Sequence, residues 1–328
     1  MCFGIFYYNE FKFNENSTMR MPFILLNYHI LLTKKFNSMA KMYFCYMQVL
    51  KKIVDFYIFS NIHVALAGFS ITKITLINFG ISNNLTPFFV AFSILLSYNF
   101  IRYYEIKKNR LIWFKSWFFT NTIKIVVLTI LAALGLGYIL VFTDFNLKSL
   151  AILFPFAFMT LFYAVPLFKI GKTEISFRNF PVIKIFSIAI AWAGISVFFP
   201  LDEENYQFTL AVYLEFFQRI LFLLAIIIPF DIRDVNVDLK SLKTLPQILG
   251  ITNSKILGTL LLFGFVLLEI FKENFTYSGL LIVMIVSFIS GLFLWFSSTE
   301  RSRYYTSFWV ESIPIFWLGL LVYFNNLN

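Results

Sequence analysis

An all-α integral membrane bundle is the fold class this sequence predicts, and three observations predict it. Apolar residues make up 59% of the 328 and charged residues only 13%, with a mean hydropathy of +0.78. Ordinary soluble domains carry about 45–50% and about 25% respectively. The apolar residues fall in long runs, and the basic residues fall between those runs. A soluble chain of this length has no way to hide so much apolar surface, even as two domains. The same composition excludes disorder, collagen-like repeats and secreted disulfide scaffolds. Cys2 and Cys45 have no metal-ligand spacing, so cysteine chemistry is not indicated.

A helix needs about 20 apolar residues to cross the hydrocarbon core. Nine stretches meet that criterion: 56–79, 86–104, 121–142, 149–168, 181–200, 209–230, 255–271, 277–297 and 305–324. The first ends at Gly80 and the second begins at Pro87. Pro181 opens the fifth and Pro200 closes it, Pro229 closes the sixth, and Gly279 falls near the start of the eighth. Proline and glycine punctuate helices in this way. The runs are too long and too unbroken by alternation for a β-barrel. Residues 1–46 form an N-terminal extension, poorly ordered, ahead of a transmembrane domain at 47–328. The apolar stretch within it, Met21 to Thr33, is too short to span and carries Pro22, Asn27 and His29. No small-residue cleavage site follows, so it does not read as a signal peptide. Met39, Met42 and Met47 are alternative starts.

Lys and Arg then set the orientation. Of the 27 basic residues, 23 fall before the first span or in and flanking the loops after spans 2, 4, 6 and 8. The opposite loops hold only Lys148 and Lys272. The expected topology has a cytoplasmic N-terminus and an external C-terminus, in the inner membrane if the chain is bacterial. The +10 charge is spread along these loops rather than gathered in one patch, which argues against nucleic acid as a partner.

Ionisable residues at membrane depth mark functional sites by default. The richest set follows span 6, as Asp231-Ile-Arg-Asp234-Val-Asn-Val-Asp238, then Lys243-Thr-Leu-Pro246 and Gly250. On a continued helix the three carboxylates stand at i, i+3 and i+7, on one face. Like charges on one face repel unless something positive lies between them. Hard oxygen ligands suit Mg²⁺, which bridges carboxylates to substrate phosphates. The plainer reading is an acidic helix end solvated by Arg233, Lys240 and Lys243, and spacing alone leaves both open.

The string D-I-R-D-x-x-x-D-x-x-x-x-K-T-L-P-x-x-x-G resembles the second Asp-rich motif of the UbiA superfamily of intramembrane prenyltransferases. Tyr163-Ala-Val-Pro166-Leu is similar to the segment closing that family's fourth span. Arg178-Asn-Phe-Pro181-Val-Ile-Lys184, with Trp192, is similar to the start of its fifth. The resemblance covers roughly residues 50–325. It implies a nine-helix bundle with a cytoplasmic active site. There, Mg²⁺ ions on two facing Asp-rich motifs neutralise the diphosphate of a prenyl donor, and a lipophilic acceptor captures the allylic cation. On this resemblance Asp234 and Asp238 are the catalytic, Mg²⁺-holding pair, helped by Asp231. Asn99, Arg102, Lys107, Tyr163 and Lys169 are the diphosphate-binding residues.

The first motif departs from the family pattern. Asn99 is kept, but Tyr103 and Lys107 stand at two carboxylate positions and Phe100 at the adjoining one. A lysine where a metal ligand belongs repels Mg²⁺, so one metal site is expected and the second is lost. Three accounts follow. Lys107 and Arg102 replace the lost metal as direct partners of diphosphate; or the scaffold binds a prenyl lipid or an assembly partner without catalysis; or Lys107 locks onto Asp234 or Asp238 with no ligand. Elsewhere, Glu215 and Arg219 are expected to form an i, i+4 pair. His63 is expected to pack between helices, and Glu311 to line the cavity or cap a neighbouring helix. Neither alternating access nor a repeated, helix-broken half suggests a transporter.

Overall fold

Backbone polar groups have no water to bond within a bilayer, so the apolar runs fold as helices that satisfy them internally. The computed structural model describes residues 45–108, 111–164, 168–170, 173–175, 183–236, 243–273 and 275–326. The chain divides into two units, Met1–Asp55 and Phe56–Asn328. The expected N-terminal extension lies, except for its last two residues, outside the described residues. Apart from the start of α1, everything below concerns the second unit.

The helices are α1 (Cys45–Phe59), α2 (Ile62–Asn78), α3 (Leu85–Lys107), α4 (Ile112–Thr120) and α5 (Thr122–Phe142). They continue as α6 (Leu150–Ala164), α7 (Ile183–Ser196), α8 (Phe198–Glu203), α9 (Leu210–Asp234) and α10 (Leu245–Leu249). The last are α11 (Ile251–Ile270), α12 (Tyr277–Trp295) and α13 (Ile313–Asn325). A small antiparallel ribbon pairs β1 (Phe168–Ile170) with β2 (Thr173–Ile175). Among the described residues, seven helical stretches are long and apolar enough to cross a membrane, α7 with α8 and the turn Tyr305–Val310 with α13 each counting as one, or eight if α1 and α2 make one broken span. Apart from that ribbon the described residues fold as helices, and the length and composition of these helices are those of a multi-pass membrane protein. The stretch expected at 149–168 forms the shorter apolar helix α6.

Packing runs from neighbour to neighbour. α2 lies against α3 and α13, α3 against α5, and α6 against α7; α7 lies on α9, α9 on α11, α11 on α12, and α12 on α13. The two larger of the apolar cores among the described residues are these. One gathers Ile74, Ile185, Phe222, Phe265, Val286 and Trp317; the other gathers Phe89, Ile94, Ala132, Ile139, Phe145 and Phe199. Trp192 packs against both. Small residues let the helices approach closely, as in membrane bundles generally. A Cβ on Gly194 would stand 2.3 Å from the Phe156 ring, and one on Gly68 would stand 2.1 Å from Ile94 Cδ1.

Three local features shape the ends of these helices. Asn61 breaks the chain between α1 and α2 in the left-handed region, with φ 67°, a conformation that Asn tolerates better than most residues. α9 runs through Pro229 without ending there and continues to Asp234. The span that ends in α13 opens with a π-helical turn, Tyr305–Val310, where Glu311 N–H donates to Thr306 O at 3.2 Å. Such turns reset the face a helix presents and recur at functional sites.

Away from the basic ends, α2, α9, α11 and α13 are tied by a buried charge network. Arg219 pairs with Glu215 one turn before it, as the i, i+4 spacing suggests. Arg219 also donates to Thr75 Oγ1 at 3.0 Å and to Ile71 O at 3.3 Å, and it lies over the Trp317 ring. Lys272 bridges Glu215 at 2.5 Å and Glu269 at 2.8 Å, and Gln218 donates to Glu269 at 2.8 Å. The two carboxylates and two cations balance, which removes most of the cost of burying them.

Candidate functional site

Two adjoining cavities lie beside α3, α6 and α7. The larger, of about 190 Å³, is lined by α2, α3, α6 and α7, with Gly68, Val90, Ile94, Ala157 and Leu161 among its walls. Its polar groups are the side chains of Thr72, Ser93, Ser97, Thr160 and Ser196, with Tyr98. Most of these hydroxyls are turned inward to backbone: Thr72 donates to Gly68 O, Ser97 to Ser93 O and Thr160 to Phe156 O. A hydroxyl with its proton already engaged leaves the wall close to apolar. The smaller cavity, of about 80 Å³, shares Tyr98, Thr160 and Trp192 with the first. Tyr98 and Trp192 meet edge to face at 6.3 Å. An engineered apolar cavity of about 150 Å³ stays dry and binds benzene. The larger space here is therefore big enough for a short hydrocarbon segment.

The smaller cavity leads toward the end of the bundle at which α3 and α9 finish and α7 begins. Its lining includes Ile101, which precedes Arg102, and Ser187. Ser187 donates to the carbonyl of Lys184 at 2.9 Å, and Lys184 in turn pairs with Asp231 at 2.9 Å. This is the basic end, where the residues singled out from sequence converge.

Their geometry differs from residue to residue. Asp231 is buried on α9 and engaged by Lys184 of α7. Asp234 accepts from both Nε and Nη2 of Arg233, at 2.8 and 2.6 Å. Asn99 is buried, accepting from Asn61 Nδ2 at 2.8 Å and donating to Thr129 Oγ1 at 3.0 Å. Its amide therefore ties α3 to the α1–α2 break and to α5. Lys107 is exposed in the last turn of α3 and makes no ion pair with a described residue. Arg102 stands over the Phe114 ring of α4 at 5.2 Å. Tyr163 falls in the last turn of α6 and Lys169 in β1; both side chains, and Asp238 entirely, lie outside the described residues.

The described carboxylates do not fit a Mg²⁺ site as they stand. Each is already neutralised by a cation of the chain, and no group of three or more His, Cys, Asp or Glu gathers among the described residues. A divalent cation would have to displace Arg233 or Lys184 to reach them.

Sequence reasoning missed the residues that complete this end. Arg303, just before the π turn, stacks on the Trp113 ring of α4 at 3.3 Å. Its Nη1 is buried and has no hydrogen-bond partner among the described residues. Burial, with the neighbouring Arg233 and Arg102 charges, draws its guanidinium below the usual value, and Asp234 opposes that shift. It remains a cation at any physiological pH. Arg233 lies over Phe230 at 5.5 Å and donates to Thr306 of the π turn. Arg102 and Arg233 both lie near the carboxyl of Glu311, within electrostatic reach. Three guanidinium groups, from segments distant in sequence, thus lie near one another at this end, and Arg233 alone of them is paired with a described carboxylate, Asp234. The only signal in the sequence was a Trp-Phe pair, Trp113-Phe114, beside basic loop residues, and nothing in it says which arginine each ring receives.

His63 belongs to the same end of α2 and is a packing residue. Its Nδ1 lies 2.8 Å from Tyr57 Oη, and its Nε2 lies 2.9 Å from Phe308 O and 3.2 Å from Ser312 Oγ. It holds α2 against the last span. Compared with models of protein families, with curated proteins and with solved structures, the chain matches none of them.

Proposed function

We propose that this protein binds a prenyl diphosphate within the membrane, its apolar chain in the α2–α3–α6–α7 cavity and its anionic head at the basic end. The observation that carries this reading is the pair of adjoining apolar cavities leading from mid-bundle toward Lys184 and Arg102. A long hydrocarbon gains about 25 cal/mol for each Å² of apolar surface it buries. A phosphate-bearing head gains charge-assisted bonds from arginine. The cavity and the basic end offer these two gains in the order an amphiphile presents them.

Transfer of the prenyl chain to a lipophilic acceptor is the fuller form of this proposal. It is favoured by the D-I-R-D-x-x-x-D string and its following K-T-L-P, which resemble the UbiA prenyltransferases. In this form the chain is a nine-helix UbiA-type bundle with its basic end and N-terminus in the cytoplasm and its C-terminus outside, in the inner membrane if bacterial. Binding without transfer, as a prenyl-lipid carrier or an assembly protein, is favoured by the pairing of Asp231 and Asp234 with Lys184 and Arg233.

Detergent-purified protein tests the shared claim, with farnesyl diphosphate as the probe and farnesol as the headless control. Wild type is expected to bind farnesyl diphosphate, and Ala157→Phe, which fills the cavity, is expected to weaken that binding about tenfold at an unchanged thermal midpoint. Equal binding by a folded Ala157→Phe protein removes the cavity from the proposal. Release of diphosphate in the presence of lipophilic acceptors separates transfer from binding alone.

A further inference from the structure

We infer that the anionic head is held without a divalent cation, with Arg102, Arg233 and Arg303 standing where a metal would otherwise neutralise it. This rests on the prenyl diphosphate reading above and makes it more specific.

The carboxylates argue first. On α9, Arg233 occupies both oxygens of Asp234, and Lys184 occupies Asp231. On α3, Tyr103 and Lys107 stand where a second pair of carboxylates would be needed. A metal entering here would meet fixed positive charge rather than open ligands, and like charges at short range repel.

The cations argue second. Arg303 lies over the Trp113 ring at 3.3 Å and Arg102 over the Phe114 ring at 5.2 Å. Stacking fixes the plane of a guanidinium while leaving its N–H edge able to donate in that plane. Buried donors are almost always paired, so Nη1 of Arg303, buried without a partner, is an unusual group. Arg303 also lies in the field of Arg233 and Arg102. Of the three cations only Arg233 is paired with a described carboxylate, Asp234, so positive charge is left over at Arg102 and Arg303. A phosphate-bearing anion supplies the missing acceptor and cancels the excess charge. α4 carries both stacking rings, so it acts as the floor of this site.

The test measures binding of farnesyl diphosphate and of inorganic diphosphate to the full-length, detergent-purified protein, with excess Mg²⁺ and with EDTA. Affinity for farnesyl diphosphate is expected to be the same in both media. Arg303→Gln and Arg102→Gln are each expected to weaken it about tenfold, with Arg303→Lys in between. Thermal midpoints of the variants are read alongside, and Arg102→Gln carries the test if Arg303→Gln does not fold. Binding that vanishes in EDTA overturns this inference and leaves the prenyl diphosphate reading standing. So does unchanged affinity in folded Arg102→Gln and Arg303→Gln proteins. No binding in either medium overturns the functional reading itself. Inorganic diphosphate binding as tightly as the farnesyl compound keeps the arginine site but removes the chain from it.

Discussion

Arg219 and Glu215 show how single residues are accommodated in this bundle. Both are about 1% exposed, and each has a second partner: Lys272 for the carboxylate, and Thr75 and the Trp317 face for the guanidinium. Removing one member of a buried pair leaves the other charge uncompensated, which costs about 3–5 kcal/mol. Glu215→Gln is accordingly expected to lower the thermal midpoint in detergent sharply. Lys272, beyond the end of α11, adds a pH dependence. Burial draws its ammonium down, but Glu215 and Glu269 outweigh that and hold it above the ordinary lysine value. A raised lysine contributes its full stabilisation below the unfolded value, about 10.4, and loses it as pH climbs through the folded one. The difference in midpoint between wild type and Glu215→Gln should therefore be flat from neutral to mildly alkaline pH and shrink only in strong alkali. A difference that varies between pH 6 and 8 would show that other groups control the network.

Glycines decide how closely helices approach, and the two in question differ only in their surroundings. Gly194 of α7 faces the Phe156 ring of α6 so closely that any Cβ would overlap it, whereas nothing lies within 4 Å of a Cβ on Gly137 of α5. Gly194→Val is expected to separate α6 from α7, lower stability and disturb the cavity they share. Gly137→Ala is expected not to lower it, because alanine is the better helix former by about 0.5–1 kcal/mol. Midpoints from the two variants check the pair; equal losses would mean that the α6–α7 approach is not tight. The π turn before α13 is the second decisive element. It presents Thr306 to Arg233 and leaves Glu311 within the field of Arg102, contacts that a regular helix would direct elsewhere.

On the scale of the molecule, the alternating basic loops predict an orientation that can be tested. Replacing Cys2 and Cys45 with Ser and introducing Lys243→Cys or Asn326→Cys gives a direct test with a maleimide that does not cross membranes. Intact cells should label the cysteine at 326 and not the one at 243; the reverse pattern would invert the topology and put the arginine end outside. Trp192 joins the two halves of the molecule, since it packs on both apolar cores and forms part of both cavities. The proposed ligand space therefore lies at the seam between the cores.

Composition, run length and the placement of Lys and Arg were enough to specify a helical membrane protein, because an apolar run of sufficient length has one way to satisfy its backbone in lipid. The i, i+4 pair of Glu215 and Arg219 was legible for the same local reason. Arg233 beside Asp234 was among the cations the sequence offered, but Lys184 as the partner of Asp231 was not. Whether Asp231 meets a metal or Lys184 depends on which helix packs beside α9, and a carboxylate in sequence looks the same in either case. Arg102, Arg233 and Arg303 span two hundred residues and come together only because α3 and α9 end where the final span begins, with rings of α4 against Arg102 and Arg303. Local spacing fixed the helices; the packing of distant helix ends fixed which charges meet.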